Sequence, residues 1–273
     1  MKIDSFSGFV AANNANLFSE IGGSGSPFVM IHAGVADHRQ WENEFAAYVK
    51  NYRVMGYDMR GYGKSEPVEG DFTHMADLEV LLETLHIREP MVLMGCSMGG
   101  GLAMDFTLTH PSLVKALIMV GSAPSGLDLD VPETDKFDEV EKAIKEGDLD
   151  LANEIETQIW FDGTGRTPQQ VNQKARKLLS EMNRIALGYE ALKLGKRKPN
   201  LKNPAAERLH EIECPVLAVV GANDTPYILA AADYMTKHIK SARKVVIEDA
   251  AHLPNMEHPQ QFYKVVSEFL KNQ

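Results

Sequence analysis

The chain has 273 residues, 44% apolar and 24% charged, which suits a folded domain with a sizeable core and excludes a disordered chain. Its formal net charge of -10 argues against nucleic acid as a partner, because phosphate binding needs Lys and Arg clustered in excess. No run approaches the roughly 18 apolar residues of a membrane span, and residues 1–12 lack the apolar stretch of a signal peptide.

Taken in chain order, residues 28–32 are a short continuous apolar run, as expected of a strand buried on both faces. Residues 37–50 then place Trp41, Phe45 and Val49 at helical spacing. A second strand at 52–57 leads into a turn-rich stretch, Asp58-Met59-Arg60-Gly61-Tyr62-Gly63-Lys64-Ser65. Residues 71–86 predict a helix with Leu78, Leu81, Leu82 and Leu85 on one face; a strand at 91–96, a helix at 98–110 and a strand at 114–120 follow. From 125 to 208 the pattern is helical with no convincing strand, over 133–146, 148–161 and 168–187, with Pro132 and Pro168 near first-turn positions. Strands resume at 216–221 and 244–247, and 258–271 closes as a helix. Cys96 and Cys214 sit in apolar runs and read as reduced core thiols, which points to the cytoplasm.

Strand–helix alternation implies an α/β fold, a parallel sheet with helices on both faces. The expected organisation is a core of residues 1–124 and 209–273 interrupted by a helical lid at 125–208. Such an insertion is well placed over the C-terminal sheet edge, where ligands bind.

Gly95-Cys96-Ser97-Met98-Gly99 fits G-x-S-x-G, directly after a predicted strand and directly before a predicted helix. That context forces a sharp turn that lifts the Ser97 hydroxyl above the sheet edge, while the helix aims its N–H groups at the site. A serine hydroxyl needs an adjacent base. His252, in Ala250-Ala251-His252-Leu253-Pro254 after the last strand, belongs at the same edge; His86, His110, His238 and His258 fall at helix ends. The orienting acid is expected between them. Asp224 follows the strand at 216–220, with Glu248, Asp249 and Asp233 as rivals. A backbone N–H in His32-Ala33-Gly34 is placed to join that of Met98 as an oxyanion hole, with His32 organising the loop near the site.

These landmarks, with Trp41 and the Asp58 to Ser65 turn, resemble the α/β-hydrolase superfamily across nearly the whole chain. The tail Ala251-His252-Leu253-Pro254-Asn255-Met256-Glu257-His258-Pro259 and the stretch Trp160-Phe161-Asp162-Gly163 resemble its 3-oxoadipate enol-lactone hydrolase and small-esterase branch. The resemblance implies a mostly parallel eight-stranded sheet with an inserted helical lid, catalytic Ser97, Asp224 and His252, and oxyanion donors at Met98 and Gly34. Ala33 stands where that family usually has Gly, which leaves Gly34 and Val35 both open as the second donor. Serine at the elbow argues against the haloalkane dehalogenases and many epoxide hydrolases of this fold, which use aspartate there. The Asp58 turn reads as structural. The implied reaction is hydrolysis of a small-molecule carboxylic ester or lactone through an acyl-enzyme, with no metal or organic cofactor. Perhydrolysis, acyl transfer and carbon–carbon bond hydrolysis at the same triad are alternatives, as is a small-molecule sensor that binds a partner protein. His32, Trp160 and Phe161 are candidate pocket residues, and Lys193, Lys196, Arg197 and Lys198 are candidate partners for an anionic substrate or a solvated charge run.

Overall fold

The computed structural model describes residues 5–132 and 134–271. The predicted helix start at 133 and the first four residues of the leader reading lie outside them.

An antiparallel hairpin, β1 (Ser5–Ala12) and β2 (Ala15–Gly22), precedes β3 (Pro27–Ile31). After a 3-10 turn at His38–Trp41 come α1 (Glu42–Tyr48), β4 (Arg53–Tyr57), β5 (Asp71–Phe72), α2 (His74–Thr84), β6 (Met91–Cys96), α3 (Met98–Thr109) and β7 (Val114–Val120). The inserted segment carries α4 (Lys136–Glu146), α5 (Leu149–Thr157), α6 (Gln173–Ala191) and β8 (Lys196–Arg197). The chain closes with β9 (Val216–Gly221), α7 (Pro226–His238), β10 (Ala242–Ile247), α8 (Pro254–Glu257) and α9 (Pro259–Leu270). Side-chain caps start three of the helices, Thr73 accepting from the N–H of Ala76, Asp148 from Leu151 and Asn172 from Ala175; the last begins five residues beyond the start expected at 168, where Pro168–Gln170 form a 3-10 turn instead.

The main sheet runs β1-β2-β4-β3-β6-β7-β9-β10. Its β1–β2 and β2–β4 pairs are antiparallel and the rest parallel. The buried strands alternate between two cores: Val29 and Ile31 of β3 join α2, α3 and α7 on one face, and Phe28 and Met30 join Tyr48 of α1 and Phe262, Val266 and Phe269 of α9 on the other. This two-sided burial explains the uninterrupted apolar runs.

Register places the candidate site. Ile31 pairs with Gly95, Gly95 with Met119, Val120 with Val219, and Gly221 with Ile247. Five of the six parallel strands, β3, β6, β7, β9 and β10, therefore end along one line, and the loops that follow them gather at one edge.

One correction concerns the inserted segment, read from sequence as free of strands. Lys196–Arg197 pairs in parallel with Asp71–Phe72 as a separate two-stranded ribbon. Two exposed, charged residues carry no hydrophobic period, so no pattern could reveal it. The helix expected over 71–86 starts at His74 for the same reason, its first residues being spent in β5.

Candidate active site

Ser97 links β6 to α3 with φ 52 and ψ -118, a conformation costly for a non-glycine residue. Neighbouring glycines make the turn possible. A Cβ on Gly95 would lie 2.2 Å from the Gly99 carbonyl oxygen, and one on Gly99 would lie 2.3 Å from that of His32. Strand, helix and the β3 loop thus approach at backbone distance, and the Ser97 N–H is tied to Val120 O at 2.8 Å. Cys96, fully buried beside it, is no competing nucleophile, because burial pushes its thiol up to about 12.

Asp224 follows β9 in a turn closed by its own N–H to Gly221 O, and its Oδ1 accepts from the Thr225 N–H at 2.7 Å. His252 follows β10. Its Nδ1 lies 2.9 Å from Asp224 Oδ2 and 3.1 Å from Oδ1, with both residues 1% exposed. Nδ1 therefore donates to the carboxylate, which leaves Nε2 as the ring's lone-pair nitrogen; Nε2 is buried and has no partner. The elbow lies against this loop: Cys96 Sγ is 3.8 Å from His252 O, and a Cβ on Gly121 would meet the His252 Nδ1 at 3.0 Å. Ser97 Oγ and Nε2 are not hydrogen-bonded to each other. Catalytic hydrogen bonds commonly tighten only when substrate binds.

None of the rival acids, Glu248, Asp249 or Asp233, is a hydrogen-bond partner of the His252 ring. The Asp249 carbonyl takes a bond from Arg166 and lies 3.2 Å from His258 Nε2, and Asp233 pairs with Lys244.

The β3 loop is held by groups the sequence did not single out. Gln40 Oε1 accepts from the Ala33 N–H at 2.8 Å, and Ala33 O accepts from Ala36 N at 3.1 Å. The Ala33 donor is thus occupied, and no described residue accepts from Gly34 or Val35. A Cβ on Gly34 would touch the Met98 side chain at 3.7 Å, so Gly34 adjoins the first residue of α3, whose N–H has no intrahelical partner.

His32 accepts from the Met59 N–H at Nε2, 2.9 Å, and donates from Nδ1 to Ala33 O, 2.7 Å. Complete burial holds its pKa below the ordinary value, and the neutral ring fastens the loop to the Asp58 turn. Asp58 accepts from the N–H groups of His38 and Lys64 and from the His38 ring. Asp37, His38 and Asp58 form the one described cluster with metal-ligand spacing, but Arg39 already claims both Asp37 oxygens. It is a structural knot.

The sequence profile describing the alpha/beta hydrolase fold matches residues 26–259. This chain belongs to that family. It is 28% identical over 239 residues to a 3-oxoadipate enol-lactonase of Acinetobacter baylyi, covering 86% of this chain and 85% of that one. It is also 28% identical over 259 residues to a pimeloyl-[acyl-carrier protein] methyl ester esterase of Aeromonas hydrophila, covering 91% and 96%. An esterase structure from Exiguobacterium antarcticum superposes with a TM-score of 0.77 at 25% identity, covering 97% of this chain and 100% of that one. The protein is therefore a hydrolase by relationship. No described helix is long and apolar enough to cross a membrane.

In this α/β hydrolase the inserted segment docks directly on the Asp224 and His252 loops. Trp160 O accepts from the His252 N–H at 3.2 Å, and its ring lies 4.5 Å from the imidazole. Gly163, at φ 71, has no room for a Cβ, which would lie 2.5 Å from Asn223 O. Arg166, missed in the sequence, bonds the carbonyls of Phe161, Asp162 and Asp249 and pairs with Glu257 at 2.8 Å. Glu257 in turn accepts from the N–H of Ala251.

Ser97 and Met98 line a cavity of about 700 Å³. Gly34 lines a neighbouring one of about 430 Å³, and the two share His74 and Arg197. Trp160 lines a third, about 740 Å³, on the side of α7. The expected pocket set therefore divides. Trp160 borders a cavity distinct from that of Ser97, whereas Phe161, 0% exposed, is core, and His32 has both nitrogens engaged inside the loop. A run of aromatic residues at helical spacing cannot reveal which of them the core absorbs.

Proposed function

We propose that the protein is a serine hydrolase that cleaves carboxylic esters or lactones through an acyl-enzyme on Ser97. The observation that carries this reading is the His252 ring, anchored at Nδ1 by Asp224 with Nε2 left bare, beside a serine in a strained strand-to-helix turn. Relatives whose names specify an enol-lactonase and a methyl ester esterase support the substrate class.

In this reading His252 Nε2 takes the Ser97 proton as Oγ attacks the carbonyl. The developing oxyanion is held by the N–H groups of Met98 and Gly34, Gly34 being favoured by its contact with Met98. The alcohol leaves with the proton from His252, and water activated by the same nitrogen releases the acid. A lactone keeps both halves in one molecule. Residues 125–208 serve as the lid of a core made of 1–124 and 209–273, supported by the docking of Trp160, Gly163 and Arg166 on the catalytic loops. Two free thiols among the described residues support a cytoplasmic location.

The test is a panel of p-nitrophenyl esters and lactones run with wild type and Ser97→Ala. Loss of the nucleophile is expected to lower turnover on the order of a millionfold, and near-normal rates in the variant overturn the assignment.

A further inference from the structure

The loop that carries His252 is held largely by groups outside the sheet. The His252 N–H donates to Trp160 O at 3.2 Å and the Ala251 N–H to Glu257 Oε1 at 2.6 Å. Asp249 O accepts from Arg166 Nη1 and lies 3.2 Å from His258 Nε2. Asp249 itself holds φ 57, a left-handed conformation that costs a non-glycine residue and persists only where its surroundings enforce it. The His252 ring is bound at Nδ1 alone, so the direction of Nε2 follows from where this backbone rests.

Arg166 joins that backbone to the inserted segment. Its Nε bonds Asp162 O at 2.7 Å and its Nη2 bonds Phe161 O at 2.8 Å, while Nη1 bonds Asp249 O and pairs with Glu257 Oε2 at 2.8 Å. Four of its five donors are thus engaged, two on each side of the junction. The other Glu257 oxygen receives the Ala251 N–H, so one carboxylate links the guanidinium to the residue before His252. Burial raises the Glu257 pKa, and the bond from Arg166 opposes the rise. The two side chains are only 10% and 3% exposed, and a planar fork held this way fixes geometry where a solvated pair would not.

The far end is anchored in the helices. Asp162, 1% exposed, accepts from Arg176 of α6 at 2.8 and 2.9 Å, and Arg176 reaches Glu154 of α5 at 2.7 Å. A strut of charged groups therefore runs from α5 and α6 to the loop of the proposed base.

We propose that Arg166 is a positioning residue for His252: through Glu257 and Asp249 O it holds the loop so that Nε2 is aimed at Ser97 while the inserted segment is docked. This inference rests on the serine hydrolase reading for its kinetic consequence, though not for its effect on the loop.

The experiment measures kcat and KM on p-nitrophenyl butyrate for wild type, Arg166→Ala, Arg166→Lys and Glu257→Gln, with thermal unfolding to confirm the fold. Arg166→Ala is expected to lower kcat about 10- to 100-fold with KM within about threefold of wild type, as for a misplacement of a reacting group by about 1 Å. Arg166→Lys, a point charge in place of the fork, restores part of the loss. Free guanidinium at sub-denaturing concentration likewise restores part of kcat in Arg166→Ala, where equal sodium chloride does not. In Glu257→Gln the amide oxygen can serve Ala251 or Arg166 but not both, so an intermediate loss in kcat is expected. Arg184→Ala, which removes an exposed ion pair with Asp150, is expected to keep wild-type kinetics.

A folded Arg166→Ala with kcat within about twofold of wild type, a loss that falls on KM instead, or a loss that neither lysine nor guanidinium relieves, overturns the proposal. Should Arg166→Ala fail to fold, Glu257→Gln decides: lowered kcat with KM held supports the strut, and any other pattern overturns it. Should Ser97→Ala keep wild-type rates, the acyl-enzyme reading falls by itself, and amide exchange over residues 249–253 decides the strut. Faster exchange there in Glu257→Gln than in wild type supports it, and equal exchange overturns it.

Discussion

Replacing Asp224 by Asn tests the pair on which the proposed reaction turns. The substitution is isosteric, and its orientation is dictated by a contact outside the pair. Thr225 N–H bonds Oδ1 at 2.7 Å, so the amide oxygen of D224N keeps that place and the amide NH2 takes the position of Oδ2, 2.9 Å from His252 Nδ1. Two donors cannot face each other, so the imidazole proton moves to Nε2, where the ring can no longer accept from Ser97. The carboxylate also stops stabilising the imidazolium formed during attack. Opposite charges about 4 Å apart at an effective dielectric near 20 interact by about 4 kcal/mol, roughly a thousandfold in rate. With the wrong tautomer added, the expected loss in kcat is about ten-thousandfold. The assay is kcat and KM on p-nitrophenyl butyrate, with thermal unfolding to confirm that the variant folds, and with D249N as the comparison. Asp249 touches its surroundings through its carbonyl, and D249N is expected to stay within about threefold of wild type. A D224N enzyme within tenfold of wild type, or a D249N enzyme as impaired as D224N, refutes the assignment of the acid.

Three further outcomes follow from the packing. Gln40→Ala removes the acceptor of the Ala33 N–H, and the orphaned donor is expected to lower stability by about 1–3 kcal/mol and kcat about tenfold with little change in KM; urea unfolding and steady-state kinetics check this, and unchanged kcat refutes the loop's role. Gly99→Ala forces a Cβ to 2.3 Å from one β3-loop carbonyl and 2.5 Å from another, so a loss of about 3 kcal/mol or more, near 10 °C in Tm, is expected; a variant as stable as wild type refutes the close approach. Glu44 is fully buried, and burial raises its pKa from 4.5 to about 8. The folded chain therefore holds this proton more tightly than the unfolded chain, and its contribution is complete below about pH 4.5 and lost as pH rises toward about 8. Glu44→Gln abolishes that loss, so its stability relative to wild type is expected to rise by about 3 kcal/mol between pH 4.5 and pH 7; parallel urea-stability profiles for the two proteins refute it.

Much of the candidate site was legible because its landmarks are local. Ser97 lies in a five-residue turn whose glycines must sit where strand meets helix, and Asp224 and His252 each follow an apolar strand directly. The β1–β2 hairpin was not read from the residues at all. Phe9 is 58% exposed at the sheet edge, and the small residues Gly8, Ala11 and Ala12 give the alternation little contrast.

Sequence by itself determined the order of the six parallel strands along the chain, the turn at Ser97 and the loops that carry its proposed partners, since each depends on a few contiguous residues and on one backbone periodicity. Only the tertiary structure decided what surrounds them. Gln40 reaches Ala33 because the β3 loop folds back on itself, and Asn255 joins Gln40 across 215 positions of chain. Arg166 meets the His252 loop from 83 residues away, and Arg197 reaches Met98 across 99. Phe161 and Trp160 are neighbours in sequence, yet one is core and the other lies over His252. Long side chains between distant elements leave no periodic trace, because their positions are set by where the folded backbones come to rest.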